Sequence, residues 1–444
     1  MNRWLRIFFL CLAAVLAVYA VLLACDLSAA GYAVLPAKRV WVTVAGAVFF
    51  GVGAWRFSLQ VKFRIFLVIL GLALAEGILQ GLGWLGLLPG VNIRFNAPYA
   101  RAYWTSEGHD NGIRNRFGWH YPEFDSQAPR RVVVVGDSFV EACEVGRCQN
   151  EAAVLQRLLR AKSPEWAVFA LGMRGTCPAQ YLEMLDYAAR HLAPQEAIVL
   201  ICLGNDITES SPSLNYAPPS SFIYYDLDSG HHLVLNPASV GARDVLWRLL
   251  EMPRRSVLVN LPMTINSHCM ILQSLFSIRD GLGLASLKRK LIARDPEVAG
   301  RWGEVGLSRK PFATAPDPEA RQALEVMLAE LALMQQRCET NHIRLHLVTI
   351  PFFPPEFYTT QHGVNWTLQL GAYDFLRPDH EIAAFARDHH IPFLSFADWL
   401  AARKTDVNDI SSLYFCNGSG HFTERGHRLC AEAMNGAFYT KPQP

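Results

Sequence analysis

The stretch that most constrains this chain is Arg131-Val132-Val133-Val134-Val135-Gly136-Asp137-Ser138-Phe139. Four consecutive valines leave no polar face, so the strand they form needs cover on both sides, as in the parallel sheets of α/β proteins. The run stops abruptly at Gly-Asp-Ser, where glycine permits a tight turn. Helical periodicity follows from Ala152 to Lys162, so the segment reads as strand, turn, helix. A serine just past the C-terminal end of such a strand sits where open α/β sheets place their chemistry. The same tripeptide also reads as an ordinary turn with Ser138 as a helix cap, and taken alone it does not decide between the two.

The 444 residues suffice for two domains, or for one large domain with an appendage. The chain is 51% hydrophobic and 18% charged, and the apolar excess is concentrated in residues 1–88. Three apolar segments stand out there, expected as helices over about 7–25, 40–56 and 65–88. A span takes roughly 20 apolar residues, with a range of about 17–25. The first and third meet this, and the second is marginal. Trp4, Trp41, Trp55 and Trp84 lie near segment ends, as interfacial aromatics do. The first segment is long for a signal-peptide core and is followed by further spans. Glu76, inside the third, is expected to pair with a neighbouring helix. Arg3, Arg6, Arg56, Lys62 and Arg64 outweigh Lys38, Arg39, Arg94 and Arg101, which favours the N-terminus inside. Three spans then place residues 89–444 outside the cytoplasm, giving a multi-pass protein of a bacterial inner membrane with its large domain periplasmic. If the second segment does not span, that domain lands inside.

A net charge of +2 with no long basic stripe excludes nucleic acid as a partner. Of ten cysteines, Cys143 and Cys148 bracket one short loop and Cys416 and Cys430 another; disulfides and scattered buried thiols suit the pattern equally. No spacing matches a zinc site, and neither metal nor cofactor is expected. His231-His232 and His389-His390 lack a third ligand in phase and read as turn and surface residues.

Residues 89–130 read as a linker and lead-in. From Arg131 to about residue 440, strand and helix alternate, which argues a parallel sheet covered on both faces. Strands are expected at Val132–Val135, Ala167–Ala170, Ala197–Leu203, Ile343–Ile350 and Pro392–Phe396. Helices are expected at Glu151–Ala161, Gln180–His191, Pro318–Asn341 and His380–Asp388. Residues 211–315 interrupt the pattern as an insertion over the sheet's C-terminal edge. It opens with a β-hairpin turning at Asp228-Ser229-Gly230, and its basic piece Lys288-Arg289-Lys290 reads as a solvated helix face.

Four blocks fall at or after strand ends: Gly136-Asp137-Ser138, Gly172-Met173-Arg174-Gly175-Thr176, Gly204-Asn205-Asp206, and Gly420-His421 through Gly426-His427. In a doubly wound sheet, such loops converge on one crevice. The set matches what acyl transfer needs. A serine hydroxyl is a poor nucleophile until an imidazole takes its proton. The oxyanion that follows needs preset donors, for which the Ser138 and Gly175 backbone N–H groups and the Asn205 amide are candidates. Asp206 reads as a stabiliser of its own loop.

In order and in context, these blocks resemble the SGNH hydrolase superfamily, the GDSL esterases and lipases, over roughly Arg131 to Phe438. The resemblance implies a flavodoxin-like three-layer α/β sandwich with a mostly parallel sheet, here preceded by transmembrane helices. It implies Ser138 as nucleophile, His421 as base, and the Gly175 N–H and Asn205 side chain as oxyanion donors, with Gly172 the weaker alternative to Gly175 and His427 a helix residue. The family usually carries an aspartate three residues before the catalytic histidine, and here that position is Gly418. Asn417, a backbone carbonyl or an acid from elsewhere such as Asp409 is expected to take that role, with Asp137 and Asp206 as other supporting residues. The implied activity is an acyl-ester hydrolase or O-acyltransferase working on carbohydrate or lipid esters through an acyl-Ser138 intermediate, with polysaccharide-biosynthesis proteins as partners. The rival expectation is a weak or inactive glycan-binding or scaffold protein that has lost its aspartate.

Overall fold

The computed structural model describes residues 1–29, 38–85, 87, 98–99, 107–108, 113–215, 219–220, 222–251, 254, 269–272, 274–275, 309–352, 367–403, 410–415 and 420–440. A five-stranded parallel sheet forms the centre: β1 Arg130–Gly136, β2 Trp166–Gly172, β3 Glu196–Cys202, β4 Arg344–Ile350 and β5 Phe393–Ser395. The strand order is β2-β1-β3-β4-β5. The valine run occupies the middle of β1 with Val132, Val133, Val134 and Val135 all at 0% exposure, because β1 is flanked on both edges by β2 and β3 and covered on both faces.

The principal helices are α1 Asn2–Ala29, α2 Lys38–Arg56, α3 Leu59–Trp84, the single turn α4 Ser138–Glu141, α5 Glu151–Arg160, α6 Pro178–His191, α7 Val240–Glu251, α8 Pro318–Thr340, α9 Arg377–Asp388 and α10 Glu424–Tyr439, with short helical turns at Asp206–Glu209, Pro212–Asn215 and Phe396–Ala401. Helix α5 packs against α10, and α6 against α8, giving the layers that cover the sheet. The chain is thus a three-layer α/β protein. Three of the helix starts are set by local side-chain caps. The side chains of Asn150, Asp317 and Thr423 accept the N–H groups of Ala153, Ala320 and Gly426, filling the unpaired first turns of α5, α8 and α10.

At the N-terminus, Asn2–Val21 and Leu59–Gly83 are long and apolar enough to cross a membrane, and Val40–Arg56 is a shorter apolar helix. Helix α3 begins six residues earlier than its apolar pattern, because the Ser58 side chain accepts the Val61 N–H and caps it there. Trp4, Trp41 and Trp55 are exposed, and the Arg6 guanidinium lies 5.3 Å from the Trp55 ring centre. Glu76 does not pair with a neighbouring span. Its carboxylate accepts the Met270 and Ile271 backbone N–H groups at 2.7 and 2.9 Å, joining α3 to the insertion.

The insertion opens with the expected hairpin, in which Tyr225–Leu227 pairs antiparallel with Leu233–Leu235. Lys288-Arg289-Lys290 lies outside the described residues. The lead-in is more than a linker. Arg114, Asn115, Trp119, His120 and Tyr121 are buried, and the Phe124 ring sits 4.8 Å from that of Phe169 in β2. The Asn115 side-chain oxygen Oδ1 accepts the Phe117 and Trp119 N–H groups, folding this stretch into a turn that seats its aromatic residues on the core. Cys143 is buried, Cys148 is exposed, and both are free thiols. Cys430 is also free and buried, whereas Cys416 lies outside the described residues.

Candidate active site

The strand order reverses between β1 and β3, and in a doubly wound sheet the crevice outside the strands' C-terminal ends at that reversal is the ligand site. Ser138 follows β1 and Asn205 follows β3, so both stand at this point. The Asp137 carboxylate accepts the Phe139 N–H at 2.9 Å, capping the turn that begins at Ser138. The cap is therefore Asp137, and the serine hydroxyl is left for other work.

Ser138 Oγ is 2.8 Å from His421 Nε2. Gly420, at φ +81°, turns the chain just before the histidine, a conformation that suits glycine. His421 itself is 4% exposed. Its other ring nitrogen, Nδ1, meets a carboxylate oxygen of Glu107, while the second oxygen of that carboxylate accepts the Gly420 N–H at 2.6 Å. With Nδ1–H donated to the carboxylate, Nε2 is left as an acceptor facing the serine proton. Burial alone raises the Glu107 pKa, but the hydrogen bond from His421, its charge and the Gly420 N–H outweigh it and hold the carboxyl below its usual range.

Glu107 is the acid that sequence reasoning missed. It sits in the lead-in, in no recognisable motif, 314 positions before His421. The vacancy at Gly418 was the one sign that an acid had to come from elsewhere. Asn417, Gly418 and Asp409 lie outside the described residues. The backbone beside Glu107 lies directly against the loop after α4: a Cβ on Gly108 would fall 2.1 Å from the Glu144 carbonyl oxygen.

The expected donor residues lie in the loops after β2 and β3. Gly175 has φ +65° and nothing within 4 Å of where a Cβ would stand, so its turn opens onto free space. Gly172 is different: a Cβ there would fall 2.0 Å from the Glu141 backbone nitrogen, which makes it a packing glycine at the end of β2. Asn205 is buried beside Asp137, its Nδ2 lying 3.2 Å from an Asp137 oxygen and 3.1 Å from a Glu209 oxygen. Both carboxylates thus lie within hydrogen-bond reach of the amide nitrogen. Asp206 is fully buried, accepting the Cys202 N–H at 2.8 Å and the Tyr181 hydroxyl at 3.0 Å. Burial and then the nearby Asp137 and Glu209 push its pKa well up, and its hydrogen bonds tie β3 to α6.

His427 lies on α10, fully buried between Glu151 (2.5 Å) and Glu144 (3.6 Å), away from the Ser138 hydroxyl's hydrogen bond. Burial lowers its pKa, but the two carboxylates outweigh this and raise it to about 9. His231, His232, His389 and His390 are exposed. Among the described residues no group of three or more His, Cys, Asp or Glu is arranged to hold a metal ion.

No protein-family model matches the chain, and no curated protein matches it. Solved structures do resemble it. The crystal structure of TesA is similar at 11% identity, covering 70% of this chain and 98% of that one, with a TM-score of 0.35. The acetyl xylan esterase AlAXEase is similar at 11% identity, over 69% and 99% of the two chains, with a TM-score of 0.34. A member of the lipolytic protein G-D-S-L family from Veillonella parvula is similar at 10% identity, over 70% and 100%, with a TM-score of 0.32.

Proposed function

We propose that this protein is a membrane-anchored serine acyl-ester hydrolase or O-acyltransferase, acting on carbohydrate or lipid esters outside the cytoplasm. One observation carries the reading: Ser138 Oγ, the His421 ring and the Glu107 carboxylate stand in line, each within hydrogen-bond reach of the next. Ser138 Oγ attacks the ester carbonyl carbon while His421 Nε2 takes its proton. The resulting oxyanion is met by the Gly175 and Ser138 N–H groups and the Asn205 amide. Collapse expels the alcohol, which receives the proton back from His421 and leaves an acyl-serine. His421 then deprotonates water or a sugar hydroxyl, whose attack releases the acid or a new ester.

Glu107 answers the objection raised by Gly418, since an orienting carboxylate is present although its place in the chain is unusual. This favours an active enzyme over a scaffold. The membrane topology rests on α2 packing along α1 as a helical hairpin with Arg6 over Trp55. Three spans put the catalytic unit outside, and protease accessibility of the C-terminal domain in sealed inverted vesicles tests that: protection supports this orientation and digestion reverses it.

The activity test uses the full chain in detergent with p-nitrophenyl acetate, beside Ser138→Ala. Turnover lost in the variant supports the reading, and equal rates would leave a binding or scaffold protein. Adding an oligosaccharide acceptor and looking for acylated sugar separates transfer from hydrolysis.

A further inference from the structure

The turn that carries Ser138 ends in a buried carboxylate with no part in the proton relay. Glu141 is 4% exposed, at the last position of α4. One of its oxygens accepts from Arg114 Nη2 at 2.5 Å. The other accepts twice from Arg174, from the backbone N–H at 3.0 Å and from Nε at 3.0 Å. Arg174 immediately precedes Gly175, so the peptide that carries the proposed Gly175 donor begins at the residue that Glu141 grips. The two segments are also in direct backbone contact, since any side chain at Gly172 would strike Glu141 and Val140. Behind the carboxylate, Arg114 Nη1 donates to the Gly118 carbonyl at 3.1 Å, and His120 Nδ1 lies 2.9 Å from the Glu141 carbonyl oxygen, tying the lead-in to the same point.

From this geometry we infer that Glu141 is a positioning residue that fixes the Gly175 donor relative to Ser138, with Arg114 anchoring the carboxylate from behind. Its two-point hold fixes the Met173–Arg174 peptide and the Arg174 side chain, immediately before the turn at Gly175. Burial raises the carboxyl's pKa, but the Arg174 and Arg114 guanidiniums outweigh it and keep Glu141 ionised well below the usual carboxylate range. The clamp therefore stays closed throughout the pH range in which His421 can act as a base. The inference rests on the proposed ester chemistry and adds to it the residue that aligns the oxyanion donor.

The experiment compares wild type, Ser138→Ala, Glu141→Gln and Glu141→Asp, each as full chain in detergent, on p-nitrophenyl acetate across pH. Glu141→Asp keeps the charge and shortens the reach by one methylene, so it decides the matter if Glu141→Gln does not fold. The expected result is a fall in kcat of about 10- to 100-fold with KM within about twofold, comparable to partial loss of an oxyanion donor. The acidic limb of the pH profile stays in place, because His421 is untouched. A folded variant with kcat within twofold of wild type, or with a displaced limb, overturns the inference and leaves the esterase reading standing. Wild type no faster than Ser138→Ala overturns both.

Discussion

The Glu107 carboxylate meets the His421 imidazole across 314 positions of sequence. The carboxylate beside His421 therefore comes from the segment between the N-terminal apolar helices and the first strand, not from the loop that carries the histidine. That segment and the central sheet are joined at the point where the chemistry is proposed to occur.

Replacing Glu107 by Gln keeps the size of the side chain but removes the charge that fixes the Nδ1–H tautomer. The expected loss in kcat is about 10²–10⁴-fold, by comparison with other serine triads. Glu107→Asp recovers part of it. The sign of the pH effect follows from its depressed pKa: the stabilisation from this anion is present above the ordinary carboxylate range and is lost as pH falls through the lower folded value. Steady-state rates from pH 5 to 9 should therefore show no limb arising from Glu107.

Asn205→Ala should lower kcat by about 10²–10³-fold with a smaller change in KM, the expected cost of removing one oxyanion donor. The same change frees Asp137 and Glu209 from their shared amide. A double substitution of Asn205 and Glu209, compared with each single, measures how much of the loss comes from that second contact.

At Gly175 the chain is in the left-handed region with open space around it. Gly175→Ala meets no neighbour, so its cost is conformational, about 1–2 kcal/mol. The expected outcome is a Tm lower by a few degrees together with a drop in kcat. Gly172→Ala, which collides with the Glu141 backbone, is expected to destabilise far more.

The buried His427 gives a stability signature separate from activity. Its folded pKa, about 9, lies above the ordinary histidine value of roughly 6.5. Its contribution is thus complete below pH ~6.5 and is lost as pH rises through about 9, on the order of 3 kcal/mol in all. Thermal melts of wild type should fall over that window, and melts of His427→Gln should be lower at pH 6 and flatter.

The sheet was legible in the sequence because each central strand is an apolar run bounded by turn residues, and Val132–Val135, Ala197–Ile201 and Leu345–Ile350 can only be buried. Ser138, Asn205 and His421 were legible because they occupy loops at the C-terminal ends of those strands, where topology brings them together. Glu107 was not. Long-range convergence of a loop residue leaves no periodicity, and its neighbourhood reads as polar linker until Trp119, Tyr121 and Phe124 are seen on the core. Glu141 escaped notice for a related reason. A lone glutamate on a four-residue turn gives no hint that two arginines, 27 and 33 positions away, close on it. Helix α3 starts before its apolar stretch because the start is set by the cap at Ser58, which an apolar pattern does not mark.

The most direct test of the relay is fluorophosphonate labelling of the detergent-solubilised full chain, with the adduct located by peptide mass spectrometry. The account predicts one modified residue, Ser138, with labelling slowed by two orders of magnitude or more in Glu107→Gln and absent in His421→Ala. Labelling that maps elsewhere, or that proceeds at the wild-type rate without Glu107, contradicts it.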